Sequence, residues 1–282
     1  MAMTARQVPA LRVFTPDPPL RLAASVREIW AFRELLWQLA TREVRVRYKQ
    51  TVFGVAWAVL QPFSMMVVFT IFFGRLARLP SDGAPYPLFY FSALVPWSFF
   101  SGSLSAATNS LTNEAGLLTK IAFPRGVVPV ASLLAASLDF AIATLILGGM
   151  LVFYGVAPSG AWMLLPLFLA VQVIFTLGAG FFLSALNVTY RDVRYAIPLV
   201  LQLWLYATPI VYPLSLVPAG LRVWYVLVNP MAILIDGYRA ALLQGKGPDP
   251  ALLTLAVIVA VAVCVGAYAY FRRAEREFAD II

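Results

Sequence analysis

Apolar stretches long enough to cross a bilayer recur along the sequence from Val52 to Phe271. The last, Ala251–Phe271, contains no charged residue, and about 20 helical residues cross a hydrocarbon layer roughly 30 Å thick. The whole chain is 61% hydrophobic and 12% charged, whereas soluble domains are roughly 45–50% apolar and about 25% charged. A soluble fold of 282 residues could not bury so much apolar surface. The sequence therefore predicts an integral membrane protein.

The apolar stretches predict an all-α fold with six transmembrane helices. They are Val52–Gly74, Tyr86–Asn109, Val127–Phe153, Trp162–Leu186, Tyr195–Tyr212 and Ala251–Phe271. A further apolar segment, Leu221–Leu243, is broken by Asn229-Pro230 into halves too short to span. It predicts two short re-entrant helices between the fifth and sixth spans, which membranes tolerate only where protein or a water-filled cavity covers the break.

The distribution of basic residues predicts the orientation of the chain. With six spans and a cytoplasmic start, four inner segments hold 16 of the 21 Lys and Arg residues, as the positive-inside rule requires. A seventh span would move Arg272, Arg273 and Arg276 outside. We therefore expect both termini in the cytoplasm, a transmembrane domain at residues 51–271 and a cytoplasmic tail at 272–282. The net charge of +8 is explained by topology, and we expect no nucleic-acid partner.

The region before the first span, residues 1–50, is expected to be cytoplasmic and to carry an amphipathic helix. Its first 28 residues have no apolar core typical of a cleavable signal peptide. In Ile29–Gln50, apolar residues such as Leu36 and Leu39 recur at helical spacing among several arginines. This pattern predicts a helix at the membrane surface, with a solvated charged linker as the alternative.

The sequence offers little for catalysis. It has no histidine and one cysteine, Cys264, so His-based catalysis, a His/Cys zinc site and a disulfide framework are excluded. The stretch Gly116–Lys120 is not a phosphate-binding loop, because Lys120 lacks a preceding glycine and a following hydroxyl residue. We expect no catalytic residue, metal or cofactor on this chain; ATP and magnesium would be bound by a partner ATPase.

Six short motifs stand at defined places relative to the predicted spans. They are VRYKQTVFG (46–54), WAVLQP (57–62), LTKIAFPR (118–125), NVTYRDV (187–193), TPIVY (208–212) and Asn229-Pro230. Together they make residues 30–275 resemble the ABC-2 permeases of the Wzm type, which export O antigens and related polysaccharides and have teichoic acid exporters as close relatives.

The resemblance implies an assembly and a cargo. Family members work as a homodimer with two copies of a separate nucleotide-binding ATPase in the bacterial inner membrane. They export lipid-linked polysaccharide; capsule, teichoic acid and small-molecule export are alternatives. A membrane-embedded glycolipid enzyme is the rival from another class, but it would need carboxylate clusters, and the acids here are scattered singly. A secondary transporter would show inverted repeats and several intramembrane charges.

The resemblance also implies that the loop at residues 113–125 docks on the ATPase. An apolar stripe of Leu117, Leu118 and Ile121 would fill a groove there, and Lys120 and Arg125 would pair at its rim. The alternative is that the two basic residues only set topology. Tyr190, Arg191 and Asp192 form a second candidate contact.

Asp139 and a set of aromatic residues are candidates for the export path. A carboxylate inside a span costs roughly 2.5–3.5 kcal/mol and should face the bundle or a cavity with a partner. Asp139 could equally form a hydrogen-bonded contact between helices or lie near an interface. Sugar rings stack on aromatic planes, although aromatic belts and core positions account for most such residues in membrane proteins. The aromatic candidates are Tyr86, Phe89, Tyr90, Trp97, Trp204, Tyr206, Tyr212, Trp224 and Tyr225. In the fourth span, Gly178, Gly180 and Ser184 instead favour close helix packing.

Overall fold

The computed structural model describes residues 22–49, 54–276 and 278, and these residues contain helices and no strand. The first three helices are α1 (Leu22–Ala31), α2 (Arg33–Tyr48) and α3 (Trp57–Phe69), which continues as a wider π-helical turn over Thr70–Leu76. Next come α4 (Tyr86–Asn113), α5 (Ala115–Leu118), α6 (Val127–Phe153), α7 (Leu165–Thr189) and α8 (Val193–Ala207). The last are α9 (Ala219–Val228), α10 (Pro230–Arg239), with a π-helical extension Ala240–Gln244, and α11 (Pro250–Ala274).

The described residues confirm a multi-pass membrane protein. Four helical segments are long and apolar enough to cross a bilayer: Trp57–Leu76, Val127–Phe153, Gly160–Thr189 and Pro250–Ala274. A fifth candidate is the pair α9 and α10, whose axes meet at 112°. The bend falls at Asn229-Pro230, where the sequence predicts the break. The start of the predicted first span, residues 52 and 53, lies outside the described residues.

Two predicted spans differ from the helices observed. Helix α4 has 28 residues, a length of about 42 Å, but it is rich in serine, threonine and asparagine. It can be polar because it runs through the centre of the bundle: Phe89, Tyr90 and Phe91 are fully enclosed. Helix α8 has only 15 residues and ends before Thr208-Pro209, since proline disfavours helical backbone in the residue before it. The six-span count therefore stays a prediction.

Helices α7 and α11 pack with their backbones in close contact. A Cβ atom built on Gly178 would lie 2.6 Å from Cα of Cys264, and one on Gly180 would lie 3.1 Å from Cβ of Ala107 on α4. Such distances leave no room for a methyl group without movement. The small residues of the fourth span thus serve helix packing, as the sequence predicts.

The N-terminal helix is broken in two and docks on the bundle. Phe32 separates α1 from α2, whereas the sequence predicts one helix over Ile29–Gln50; residue 50 lies outside the described residues. The apolar residues Leu36 and Leu39 pack against the protein's own residues such as Val127. A place for these helices at the membrane surface stays a prediction. The large apolar side chains that are exposed on α1 and α2 are Val26, Trp30, Trp37 and Val46.

The segment α9–α10 is held to the end of α8 by buried polar contacts. The side-chain amide of Asn229 donates to Oγ1 of Thr208 at 2.9 Å. Arg239 is 1% exposed, and its guanidinium donates to the carbonyl oxygens of Phe89, Pro209, Ile210 and Tyr212 at 2.8–3.4 Å. It also lies 3.5 Å from the ring centroid of Phe89. One buried cation therefore joins α4, α10 and the turn after α8.

Candidate translocation and coupling sites

The C-terminal end of α2 supplies the partners of Asp139. Arg47 forms an ion pair with the carboxylate of Asp139, and the hydroxyl of Tyr48 donates to the same carboxylate. Asp139 lies 12 residues into α6, about 18 Å from its start at 1.5 Å per residue. The sequence correctly requires a partner for this acid, but the partners are more than 90 positions away.

Further polar contacts extend this junction along α2. Oε2 of Glu43 accepts from the hydroxyl of Ser132 at 2.9 Å, and Arg42 pairs with Glu114 at the end of α4. Burial, followed by the hydrogen bond to Asp139, raises the pKa of Tyr48 to about 12. The phenol therefore stays protonated at neutral pH and remains a donor. We call the set Arg42, Glu43, Arg47, Tyr48, Ser132 and Asp139 the polar junction.

Two cavities adjoin the polar junction. One, of about 700 Å³, is lined by polar side chains of α2, α4 and α6, including Ser105 and Asn109. The other, of about 540 Å³, is lined by Asp139 and by aromatic residues including Trp57 and Trp97. Arg47 and Gly102 line both cavities. Polar groups that can bond hydroxyls thus adjoin aromatic faces that can stack on sugar rings.

Three of the predicted path aromatics lie in the core instead. Phe89 and Tyr90 are fully enclosed, and Tyr86 is nearly so. The Tyr86 hydroxyl donates to the carbonyl oxygen of Val211 at 2.9 Å, and the ring of Tyr90 stacks on Phe69 with centroids 4.8 Å apart. All three belong to the core cluster of the single chain. Their assignment to a path stays a prediction that their burial does not favour.

The other predicted aromatics have different surroundings. Trp97 is buried but borders the aromatic cavity, and its ring meets that of Trp204 edge-on at 6.4 Å. Tyr206 is 50% exposed on α8, and Trp224 is exposed on α9. The hydroxyls of Tyr212 and Tyr225 lie 3.2 Å apart, and Tyr225 also donates to the carbonyl oxygen of Ala207. Only Trp97 and Asp139 among the predicted path residues line the cavity beside the polar junction.

The loop between α4 and α6 presents less apolar surface than its sequence predicts. Leu118 is 9% exposed and belongs to a core cluster with Val127 and Phe271, and Leu117 packs against the same cluster. Ile121 is 54% exposed, and Lys120 beside it is exposed as well. This corrects the predicted stripe, because the two leucines fold back onto the bundle and only Ile121 is free to enter a groove.

Arg125 also faces inward. Its backbone N–H donates to Oε1 of Glu275 at 3.0 Å, and its guanidinium donates to the carbonyl oxygen of Glu275. It therefore ties the loop to the end of α11 and does not stand at a free rim. The second candidate contact is different: Tyr190, Arg191 and Asp192, between α7 and α8, are all exposed.

Two sets of residues escaped sequence reasoning. Arg47 and Tyr48 lie within the VRYKQ motif, but hydropathy does not connect that motif with Asp139. Arg239 reads as an interruption of an apolar segment, and its role emerges only from the four carbonyl groups around it. Among the described residues, no group of three or more His, Cys, Asp or Glu side chains could hold a metal ion.

Comparison with known proteins identifies the family. Residues 34–243 match the ABC-2 type transporter family. This stretch is well over half of the chain and includes the polar junction, the α4–α6 loop and α10. The protein belongs to the ABC-2 type transporter family.

Several relatives are similar over nearly their full length. The O-antigen export system permease protein RfbA of Myxococcus xanthus is 32% identical over 260 residues, covering 91% of this chain and 98% of the relative. The protein of the same name from Klebsiella pneumoniae is 29% identical over 250 residues, covering 88% of this chain and 95% of the relative. The polysialic acid transport protein KpsM of Escherichia coli is 24% identical over 247 residues, covering 84% of this chain and 92% of the relative.

Proposed function

We propose that this chain is the membrane subunit of an ABC transporter that exports a lipid-linked polysaccharide, such as an O antigen, across the bacterial inner membrane. The similarity to O-antigen permeases along about nine-tenths of the chain carries the proposal. The weaker similarity to a polysialic acid transporter makes a capsular polysaccharide the second candidate. Teichoic acid or small-molecule export, and a membrane-embedded enzyme, have no comparable support.

The polar junction and its two cavities are our candidate for the cytoplasmic start of the path. Hydroxyl-bonding groups lie beside Trp97, and the exposed faces of α3 and α8 adjoin them through Trp57 and Leu205. Those faces carry apolar side chains such as Phe63 and Leu203. In a membrane they contact either lipid or a second copy of this chain. We propose that they meet a second copy in a homodimer, with the path between the two copies.

A separate ATPase would supply the energy. The chain has no Gly-x-x-x-x-Gly-Lys-Ser/Thr motif for binding ATP phosphates. The surfaces available for docking are Lys120 and Ile121 in the α4–α6 loop and the exposed turn Tyr190–Asp192.

Native mass spectrometry of the purified complex should find two copies of this chain and two of the ATPase; any other ratio contradicts the homodimer.

Ile121→Asp is expected to weaken the complex with the ATPase while the chain itself stays folded. Ile121 is exposed, so a carboxylate there meets water in the free chain but a partner groove in the complex. An apolar side chain of this size contributes about 1.5–3 kcal/mol when fully buried, so affinity should fall at least about tenfold. The measurement is the amount of ATPase that co-purifies at equal amounts of monodisperse chain.

Leu118→Asp provides the contrast, because Leu118 lies in the chain's own core. It should reduce the yield of folded chain rather than ATPase binding per folded chain. If Ile121→Asp retains a full complement of ATPase, the loop is only a connector and the docking assignment is wrong.

The proposed orientation places both termini in the cytoplasm and the segment Leu214–Pro250, between α8 and α11, on the outer side. In a Cys264→Ala background, Ser215→Cys and Gly247→Cys should react with an impermeant thiol reagent added to intact cells, since both positions are exposed. Lys120→Cys is the matched control and should react only after lysis. The opposite pattern would contradict the six-span topology.

A further inference from the structure

Whereas the first half of α4 is enclosed, one face of its second half carries small polar residues at helical spacing. These residues, which follow one another at intervals of three or four positions, are Ser98, Gly102, Ser105, Asn109 and Asn113. All are exposed or half-buried, whereas Ser103, on another side of the helix, is fully enclosed. Residues with this spacing share one helix face, and together they cover about 22 Å at 1.5 Å per residue. We call these five residues the α4 stripe.

The α4 stripe begins near the middle of the membrane-spanning region. The ring of Phe99, next to Ser98, packs on that of Phe140 with centroids 4.8 Å apart. Phe140 is the central residue of α6, a helix long and apolar enough to cross a bilayer. At the other end, Asn113 is the last residue of α4, on the side proposed to be cytoplasmic. The stripe therefore runs from the middle of the span to its cytoplasmic end.

A partly exposed ion pair shares the space in front of the stripe. Arg47 and Asp139 line the same cavity as Ser98 and Gly102, and their side chains stay 34% and 33% exposed. Charged groups at this depth face a bundle interior or water, because hydrocarbon cannot solvate them. Two cavities, of about 700 and 540 Å³, lie in front of the stripe, and their polar walls suit water.

The charges that line these cavities leave no basic group for an anion. Arg42 forms an ion pair with Glu114, and Arg47 forms one with Asp139. With Glu43, the lining residues include three acids and only these two bases. A phosphate or carboxylate would meet a net negative wall. Sugar hydroxyls, in contrast, can exchange hydrogen bonds with serine hydroxyls and asparagine amides.

We propose that the α4 stripe is one wall of a water-filled track, open to the cytoplasm, along which uncharged sugar residues pass to the middle of the membrane. A Cβ atom on Gly102 would meet no atom within 4 Å, so the helix surface leaves room for a sugar ring. The identity of the cargo rests on the proposed function, but the track itself can be tested without cargo. The track favours an uncharged glycan over a polyanion such as polysialic acid.

Cysteine accessibility tests the track in inside-out vesicles that contain this chain and its ATPase. In a Cys264→Ala background, Ser105→Cys should react with a membrane-impermeant methanethiosulfonate reagent added from the cytoplasmic side. Ser103→Cys is the matched control, two positions away on an enclosed face of α4. It should react at least about tenfold more slowly, because thiol exchange requires access to the sulfur. No reaction of Ser105→Cys, or equal rates for both variants, overturns the water-filled track.

Gly102→Trp tests whether the track is continuous. Gly102 lines both cavities and has open space in front of it, so an indole there should block the track without displacing a neighbour. Modification of Ser98→Cys, beyond the block, should slow by about tenfold. Modification of Asn109→Cys, before the block, should not change. An unchanged rate at Ser98→Cys overturns the proposal.

The same block should stop cargo. Gly102→Trp should abolish glycan export while bound ATPase stays at the wild-type level. Gly149→Trp is the matched control, because Gly149 also has open space around it but lines neither cavity; it should export normally. Normal export by Gly102→Trp overturns the track as the route of the glycan. If the cysteines react as expected but the wild type exports no glycan, the track stands and the proposed function fails.

Reagents of opposite charge test the preference for uncharged sugars. Relative to a free thiol in solution, a cationic methanethiosulfonate should modify Ser105→Cys at least about twofold faster than an anionic one, because a net negative wall concentrates cations. A ratio that is equal or favours the anionic reagent overturns the charge preference and makes a polyanionic glycan the better candidate.

Discussion

Gly178→Ala is expected to destabilise the membrane domain strongly, although it adds only one methyl group. The new Cβ would lie 2.6 Å from Cα and 2.8 Å from N of Cys264. Both are backbone atoms of α11, so no side chain can rotate away and the two helices must separate. Overpacking of this kind typically costs about 1–3 kcal/mol, occasionally more. Thermal unfolding of the purified chain in one detergent should show a clearly lower Tm and a smaller monodisperse fraction.

Gly266→Ala is the matched control for this prediction. Gly266 lies on α11, and a Cβ atom there would meet no atom within 4 Å. The same substitution should therefore be neutral or slightly stabilising, because alanine favours helix over glycine by about 0.5–1 kcal/mol. A wild-type Tm for Gly178→Ala would mean that α7 and α11 do not pack as closely as described.

Arg239→Met is expected to have a comparably large effect. The substitution leaves the carbonyl oxygens of Phe89, Pro209, Ile210 and Tyr212 without the donor that joins them. Hydrogen bonds to charged groups contribute about 1.5–3 kcal/mol each. The free energy of unfolding should therefore fall by several kcal/mol, although the variant no longer has to bury a cation. Arg239→Lys should recover part of this, because an ammonium group is too compact to reach all four oxygens.

Arg222→Met is the control within the same region. Arg222 is half-buried and donates to the carbonyl oxygens of Val217 and Ser215 at 3.0 and 3.4 Å. Because water can replace these contacts, the unfolding temperature should fall only slightly. Equal unfolding temperatures for Arg239→Met and Arg222→Met would contradict the role assigned to Arg239.

Hydropathy predicted the long apolar helix α6 and the break between α9 and α10 well, and helices α4 and α8 less well. Helix α6 begins and ends at Val127 and Phe153 as predicted, and the break at Asn229-Pro230 is where it was expected. Both features follow from local properties: a long apolar run in one case and the missing N–H of proline in the other. Helix α4 extends four residues beyond its predicted end, because an enclosed helix can carry polar residues that a lipid-facing helix cannot.

The candidate sites were harder to predict because apolar residues avoid water in two different ways. Leu118 reads as a docking residue on a cytoplasmic loop, but it avoids water by packing against Phe271 and its neighbours. Leu36 and Leu39 on α2 likewise pack against the bundle. Asp139 was recognised because a carboxylate inside a membrane span is energetically unfavourable without a partner. Its partners Arg47 and Tyr48 are brought to it only by the docking of α2 against α6. Long-range packing of this kind leaves no local pattern in a single sequence.

The central proposal is ATP-driven export of a lipid-linked polysaccharide. The most direct test uses inside-out vesicles that contain this chain and its ATPase, supplied with radiolabelled lipid-linked O antigen. Glycan should move into the lumen when ATP is added and become protected from an external glycosidase, and Tyr206→Ala, exposed on α8, should slow this movement without reducing bound ATPase. Protection that is equal with and without ATP, or that persists in vesicles lacking this chain, would contradict the proposed function.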